Sequence, residues 1–167
     1  GVANREFNAN GALIFGAGNE ITNSVADIYS APTSGGNSPK ELQQRLMTAI
    51  KAAESGGSTM AIGGGNKADY TQKTQITGVN NTVTGTADTI AKLNYVSGFK
   101  NTVTNASNNI VMGNDHTVTA DNTVAIGGLS GADDRSVANT TSIGYDAKGN
   151  QEGGVALGYK SNATVDK

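Results

Sequence analysis

Short, largely apolar stretches that end in glycine recur along the chain: LIFG at 13–16, MAIG at 60–63, QITG at 75–78, YVSG at 95–98, IVMG at 110–113, VAIG at 124–127, TSIG at 141–144 and VALG at 155–158. Their last glycines are separated by 47, 15, 20, 15, 14, 17 and 14 residues. A unit of 14–15 residues with one large and two small insertions accounts for these gaps. Other columns keep the same phase. One residue before the glycine stand Phe15, Ile62, Thr77, Ser97, Met112, Ile126, Ile143 and Leu157; three after it stand Asn19, Asn66, Asn81, Asn101, His116, Ser130, Ala147 and Ser161. Five after it come Ile21, Ala68, Val83, Val103, Val118, Ala132, Gly149 and Ala163.

Period-two reasoning converts these columns into strands. Positions one and three before the glycine share one face of a short strand, and positions three and five after it share one face of a second. Two short strands and two turns return the chain one strand spacing, ~4.8 Å, further along an axis. The expected fold is therefore all-β, a parallel solenoid or β-roll. Its expected structural core is the column Phe15, Ile62, Met112, Ile126, Ile143 and Leu157. The repeated Asn is expected to stack as an amide ladder, with His116, the single histidine, as one of its members.

Composition supports a thin repetitive core. Gly, Ala, Asn, Thr and Ser fill more than half of the 167 positions, which disfavours an ordinary enzyme domain with a bulky centre. The formal net charge of −2 is too small to signal disorder or a nucleic-acid partner. No apolar run approaches the ~20 residues of a membrane span.

Residues 38–54 interrupt the β pattern with SPKELQQRLMTAIKAAE. Ser38 caps, Pro39 suits the first turn, Glu41 completes a capping box, and Gly56-Gly57 ends the run. Leu42, Leu46, Ala49, Ile50 and Ala53 fall on one helical face. Either this helix covers its own roll, or it projects as a receptor-binding element or inter-chain clamp. The insertions near 85–92 and 131–139 are expected to protrude as loops, where specificity usually sits. The larger insertion side chains are candidate receptor-binding residues: Arg45, Leu46 and Lys51 on the helix, and Ile90, Lys92 and Arg135 on the loops. The expected organisation is residues 1–24 with the first coil, 25–57 as the insertion, and 58–167 as the main run of repeats.

Asn122-Thr123-Val124-Ala125-Ile126-Gly127, with Ser130 following, closely resembles the head repeat of trimeric autotransporter adhesins. Thr141-Ser142-Ile143-Gly144-Tyr145 and Gly154-Val155-Ala156-Leu157-Gly158-Tyr159 look like further copies. The resemblance covers about residues 11–24 and 58–165. It implies a YadA-like head: a left-handed parallel β-roll of 14–15-residue repeats, three chains side by side, carried on a Gram-negative outer membrane. The partners it implies are host matrix proteins (collagen, fibronectin, laminin) or an immunoglobulin-like host receptor such as a CEACAM. It also makes the repeat face around Asn122, Thr123 and Ala125 a candidate matrix-binding site. On this reading the chain is an extracellular piece excised from a longer adhesin. The units ending at Gly78 and Gly98 depart from the pattern, with Gln75, Thr77 and Ser97 at usually aliphatic positions.

Catalytic chemistry finds no foothold, and no cofactor is expected. Gly63-x-Gly65-x-x-Ala68 mimics a dinucleotide fingerprint, but no helix pattern follows it. One histidine supplies neither a metal site nor a triad, and Asp121, Asp133 and Asp134 lack the spacing of a calcium loop. The chain is expected to be no enzyme. Two other functions compete with adhesion. Thr82-Val83-Thr84, Thr102-Val103-Thr104 and Thr117-Val118-Thr119 are TxT triplets such as an ice-binding solenoid would display. A trimeric phage fibre tip is the third reading.

Overall fold

The computed structural model describes residues 1–28, 38–131 and 133–164, with the side chains of residues 133 and 134 outside that set. The chain winds as a parallel β-roll with two main sheets. Eight strands build the first: Leu13–Ala17, Met60–Gly64, Gln75–Val79, Tyr95–Phe99, Ile110–Asn114, Val124–Gly127, Thr141–Ile143 and Val155–Leu157. Seven build the second: Arg5–Ala9, Glu20–Ser24, Lys67–Asp69, Thr82–Thr84, Thr102–Thr104, His116–Val118 and Asp133–Arg135. Every named strand pair among the described residues is parallel. Thr71–Gln72 pairs with Ala91–Lys92 on a short third side, and Lys148–Gly149 pairs with Asn162–Ala163.

The glycine column is a requirement of this winding. Gly16, Gly63, Gly78, Gly98, Gly113 and Gly127 lie directly opposite one another in successive strands. At Gly98 the backbone has φ +131°, and an added Cβ would run into the Gly113 carbonyl oxygen. Only glycine combines that dihedral with so close a backbone approach. The next corner falls two residues later, where Asn80, Lys100, Asp115, Asp146 and Lys160 hold left-handed φ values of 53–59°.

The first sheet has the opposite facing from the one expected. The inward column is the residue two before the glycine: Ile14, Ala61, Ile76, Val96, Val111, Ala125, Ser142 and Ala156, all buried except the half-buried Ile14. The expected core points out instead. Phe15 is 70% exposed, Leu157 62% and Met112 46%; Ile143 is exposed, and Ile62 and Ile126 are half-buried. Strand periodicity of two makes this an all-or-none choice, and lumen width decides it. Between the sheets the lumen takes Ala, Val and single Ile side chains, and not a column of Phe, Met and Leu. In the second sheet the facing is as expected, with Ile21, Ala68, Val83, Val103 and Val118 fully buried.

Two insertions are also corrected. His116, Thr117 and Val118 lie opposite Asp133, Asp134 and Arg135, so the second strand of that coil begins three residues later than the column of Ser130 and Ala132. Ser130 is exposed, and Ala132 lies outside the described residues. The segment 131–139 is thus partly sheet rather than a protruding loop. The 85–92 insertion protrudes only at Thr86–Thr89, closed by reciprocal backbone bonds of 2.8 and 3.2 Å; Ala91 is fully buried.

The helix runs Pro39–Ala52. Its capping box is complete: the Glu41 N–H donates to Ser38 Oγ, and the Ser38 N–H donates to Glu41 Oε2 at 2.9 Å. It is spliced between neighbouring coils, because Leu13–Ala17 pairs directly with Met60–Gly64 across it. Glu54 and Lys73 form an ion pair at its root, where Gly57 N–H also donates to Asn10 Oδ1 at 2.7 Å.

Candidate binding and assembly surfaces

The lumen is closed to any ligand by its own polar ladder. Asn66 donates through Nδ2 to Asn19 Oδ1 at 2.9 Å and to the Gly78 carbonyl at 2.8 Å. Asn81 and Asn101 repeat both contacts one and two coils on. His116 completes the series: its N–H donates to Asn101 Oδ1 at 3.1 Å, and Nε2 lies 2.7 Å from the Gly127 carbonyl. A carbonyl only accepts, so Nε2 carries the proton and the imidazole does what the Asn amide does elsewhere. A ladder of this kind satisfies groups that would cost several kcal/mol if buried alone. The ladder starts earlier than the repeat alone suggested. Asn4 Oδ1 accepts from Asn19 N–H at 3.0 Å, and Gly1 occupies the glycine column against Gly16. A second series joins Asn94, Asn109 and Thr123 on the other side of the lumen.

Candidate residues separate by environment. Arg45, Leu46 and Lys51 are exposed on the helix, and Lys92 is exposed beside the half-buried Ile90. Arg135 is only 4% exposed, so it is no anchor for a partner. It enters the lumen in the column of Val118, donating from Nη1 to Ser142 Oγ at 3.2 Å and from Nη2 to the Ala147 carbonyl at 2.7 Å. Ser142, which also accepts from the Gly149 N–H at 2.8 Å, is the short side chain that meets it. The repeat-face candidates divide likewise. Asn122 is exposed and donates to Asn139 Oδ1 at 2.9 Å, whereas Thr123 and Ala125 are fully buried and touch no partner. Gly63 and Gly65 sit at roll corners followed by the strand Lys67–Asp69, which removes the dinucleotide resemblance.

The helix does not cover its own roll. Ala49 is its one buried residue, while Leu42, Leu46 and Met47 remain exposed. The Ser38 N–H and the Ser38 hydroxyl both donate to Glu41 Oε2 at 2.9 Å, which favours the ionised carboxylate and holds its pKa below the ordinary 4.5, the N–H first. Asp146 is lowered in the same manner, first by the Ser130 N–H at 2.7 Å.

The largest apolar feature is the outer face of the eight-stranded sheet, which sequence reasoning had turned inward. From one end it presents Leu13 and Phe15, then Met60 and Ile62, and after a polar interval Ile110 and Met112, Val124 and Ile126, Ile143, and Val155 and Leu157. Val79, Phe99, Tyr145 and Tyr159 extend it to one side, the two tyrosine rings stacked at 6.0 Å. Eight strands of three to five residues, ~4.8 Å apart and ~3.3 Å per residue, give a footprint of roughly 550 Å² before corrugation, the polar interval included. That is at the upper end of what single chains leave bare, and approaches the ~800 Å² per partner of a stable interface. No family model, curated protein or solved structure matches the chain.

Thr82, Thr102 and Thr117 stand opposite one another on the second sheet, as do Thr84 and Thr104. The insertion between the first two triplets therefore does not break the array. It stops after three coils, bordered by Lys67 and Asp69 on one side and Asp134 on the other.

Proposed function

We propose that the chain is a non-enzymatic head of a trimeric bacterial surface adhesin. In this reading it is a left-handed roll that binds a host matrix protein or an immunoglobulin-like receptor as a homotrimer. The observation that carries the reading is the apolar outer face of the eight-stranded sheet. Outside its polar interval it repeats with the glycine-terminated motif, and Ile143, Tyr145, Val155, Leu157 and Tyr159, which carry part of the resemblance, are exposed on it. Burying that surface against copies of the chain removes Phe15, Met112 and Leu157 from water, each contributing about 1.5–3 kcal/mol when fully covered. The narrow lumen supplies little of this kind itself, so association supplies what the single roll lacks. The expected location is the outer membrane surface of a Gram-negative cell.

Light scattering on the purified chain tests assembly, and solid-phase binding to collagen, fibronectin, laminin and immunoglobulin-like receptors tests adhesion. Three copies and saturable binding to one of these are expected. A monodisperse folded monomer at micromolar concentration would overturn the reading. The registered threonines favour ice binding as a second reading, in which the same preparation shows thermal hysteresis and no host-protein binding. Three coils bordered by charge are a short array for that task.

A further inference from the structure

In the central column of the apolar face, one residue before each glycine, the sequence reads Phe15, Ile62, Thr77, Ser97, Met112, Ile126, Ile143 and Leu157. Polarity is confined to two adjacent coils, and Gln75 extends it one column sideways. These short side chains leave a depression of about 140 Å³ lined by Gln75, Thr77, Tyr95, Ser97, Ile110 and Met112. That is well below the ~300 Å³ at which small-molecule pockets begin, and is the size of a side chain. Tyr95 stands at its rim, 44% exposed, with a ring that fits such a hollow and a hydroxyl that needs a partner when covered. The lining supplies those partners as an amide and two hydroxyls.

We propose that Gln75, Thr77 and Ser97 set the axial register between copies of this chain, with Tyr95 of one copy seated in the depression of the next. The proposal rests on the self-association reading above. An uninterrupted apolar face is indifferent to sliding by one coil, because each row resembles its neighbours. A polar band two coils wide is not, and the face's other polar residue, the half-buried Thr141, stands alone three coils on from Tyr95. In register the band meets itself and its hydroxyls pair; one coil out, one of its two rows lies against Met112 or Ile62, and two coils out both rows face apolar ones, their polar groups buried unpaired. Parallel copies place equal rows at equal height, whereas copies running in opposite directions bring the band against apolar rows.

The sequence contains no cysteine, which makes the test direct. Met112→Cys and Ile143→Cys chains, one carrying a size tag, are mixed and treated with a thiol linker shorter than the ~10 Å offset of two coils. Same-position links are expected, at least tenfold over mixed links. In a Gln75→Leu, Thr77→Val, Ser97→Val background the assembly is expected to persist, since all three side chains point outward, with mixed links rising to comparable yield. Ser97→Trp, which plugs the depression, is expected to raise the concentration needed for assembly at least tenfold while leaving far-UV circular dichroism unchanged. Same-position links unaffected by the triple replacement would overturn the register role while leaving self-association intact. Mixed links dominating in the parent chain would also overturn it. A monomer that forms no links removes both readings together.

Discussion

Ala125 and Ile126 are adjacent in the chain and opposite in environment, the first fully buried in the lumen and the second half-buried on the outer face. Ala125→Asp puts an uncompensated carboxylate between Val111 and Ser142, its register neighbours, at a cost of about 3–5 kcal/mol. Loss of the cooperative thermal transition is the expected outcome. Ile126→Asp leaves the roll folded and instead weakens association, so sedimentation should report dissociation with little change in circular dichroism. Equal effects of the two on folding would mean that the facing is wrong. Backbone conformation gives a second test at this scale. Leu93 holds φ +55° in the corner column where Asn108, Asn122 and Asn139 hold 58–61°. It is exposed, so its side chain contributes little to the core. Leu93→Asn should relieve about 1 kcal/mol of left-handed strain and raise the melting temperature by about 2–4 °C.

Elements differ in how openly the sequence announced them. The repeat period, the asparagine ladder with His116 and the capped helix were all legible, because each depends on residue type at fixed spacing. Facing in the first sheet was not, since both alternating columns are apolar: Ile14, Ala61 and Val111 against Phe15, Ile62 and Met112. Side-chain size was part of the missing discriminator: in six of the eight coils the thin lumen takes the smaller of the two residues, while Ile76 and Val96 enter beside the outward Thr77 and Ser97. Arg135 was misplaced for a related reason. Its charge suggested solvent, whereas its three-residue register shift and the short Ser142 prepare a lumen position. Gly1 and Asn4 were overlooked because the other units are recognised by the apolar stretch that leads to their glycine. For the helix, the capping box yields a pH prediction. Glu41 has a folded-state pKa below its unfolded 4.5, so its contribution is present above that value and is lost as pH falls through the folded one. The helical far-UV signal should therefore decline in the acid range before the β signal does. Glu41→Ala should reduce it already at neutral pH, because it removes the acceptor of the Ser38 N–H and half of the capping box. A helical signal independent of pH down to global unfolding would rule this out.

At the scale of the whole molecule, the proposed function would divide between two exposed surfaces. The outer face of the eight-stranded sheet is flat, apolar and repeated, which suits copies of the chain. Thr123 and Ala125 are sealed in the lumen, so that region offers a matrix protein little beyond Asn122 and the residues already assigned to assembly. The helix is different. It roots at the roll through Gly57 and Glu54, yet leaves Leu42, Leu46 and Met47 exposed beside Arg45 and Lys51. Arg45 is of a type enriched among interface hot spots, and the exposed Leu42, Leu46 and Met47 beside it offer apolar area for a partner to cover. Once a host ligand is in hand, residues 29–53 can be replaced by a short Gly/Ser connection that keeps Glu54 and Gly57, and with them the contacts to Lys73 and Asn10. Binding should fall at least a hundredfold, while light scattering and the melting transition stay those of the parent. Ile126→Asp should do the reverse: the helix is intact, but a monomer loses the gain from engaging several sites at once, so affinity falls on a dense ligand surface and not for a single ligand in solution. Unchanged binding after the replacement would move the site to the exposed residues of the roll itself, with Asn122 and Lys92 the first to be substituted.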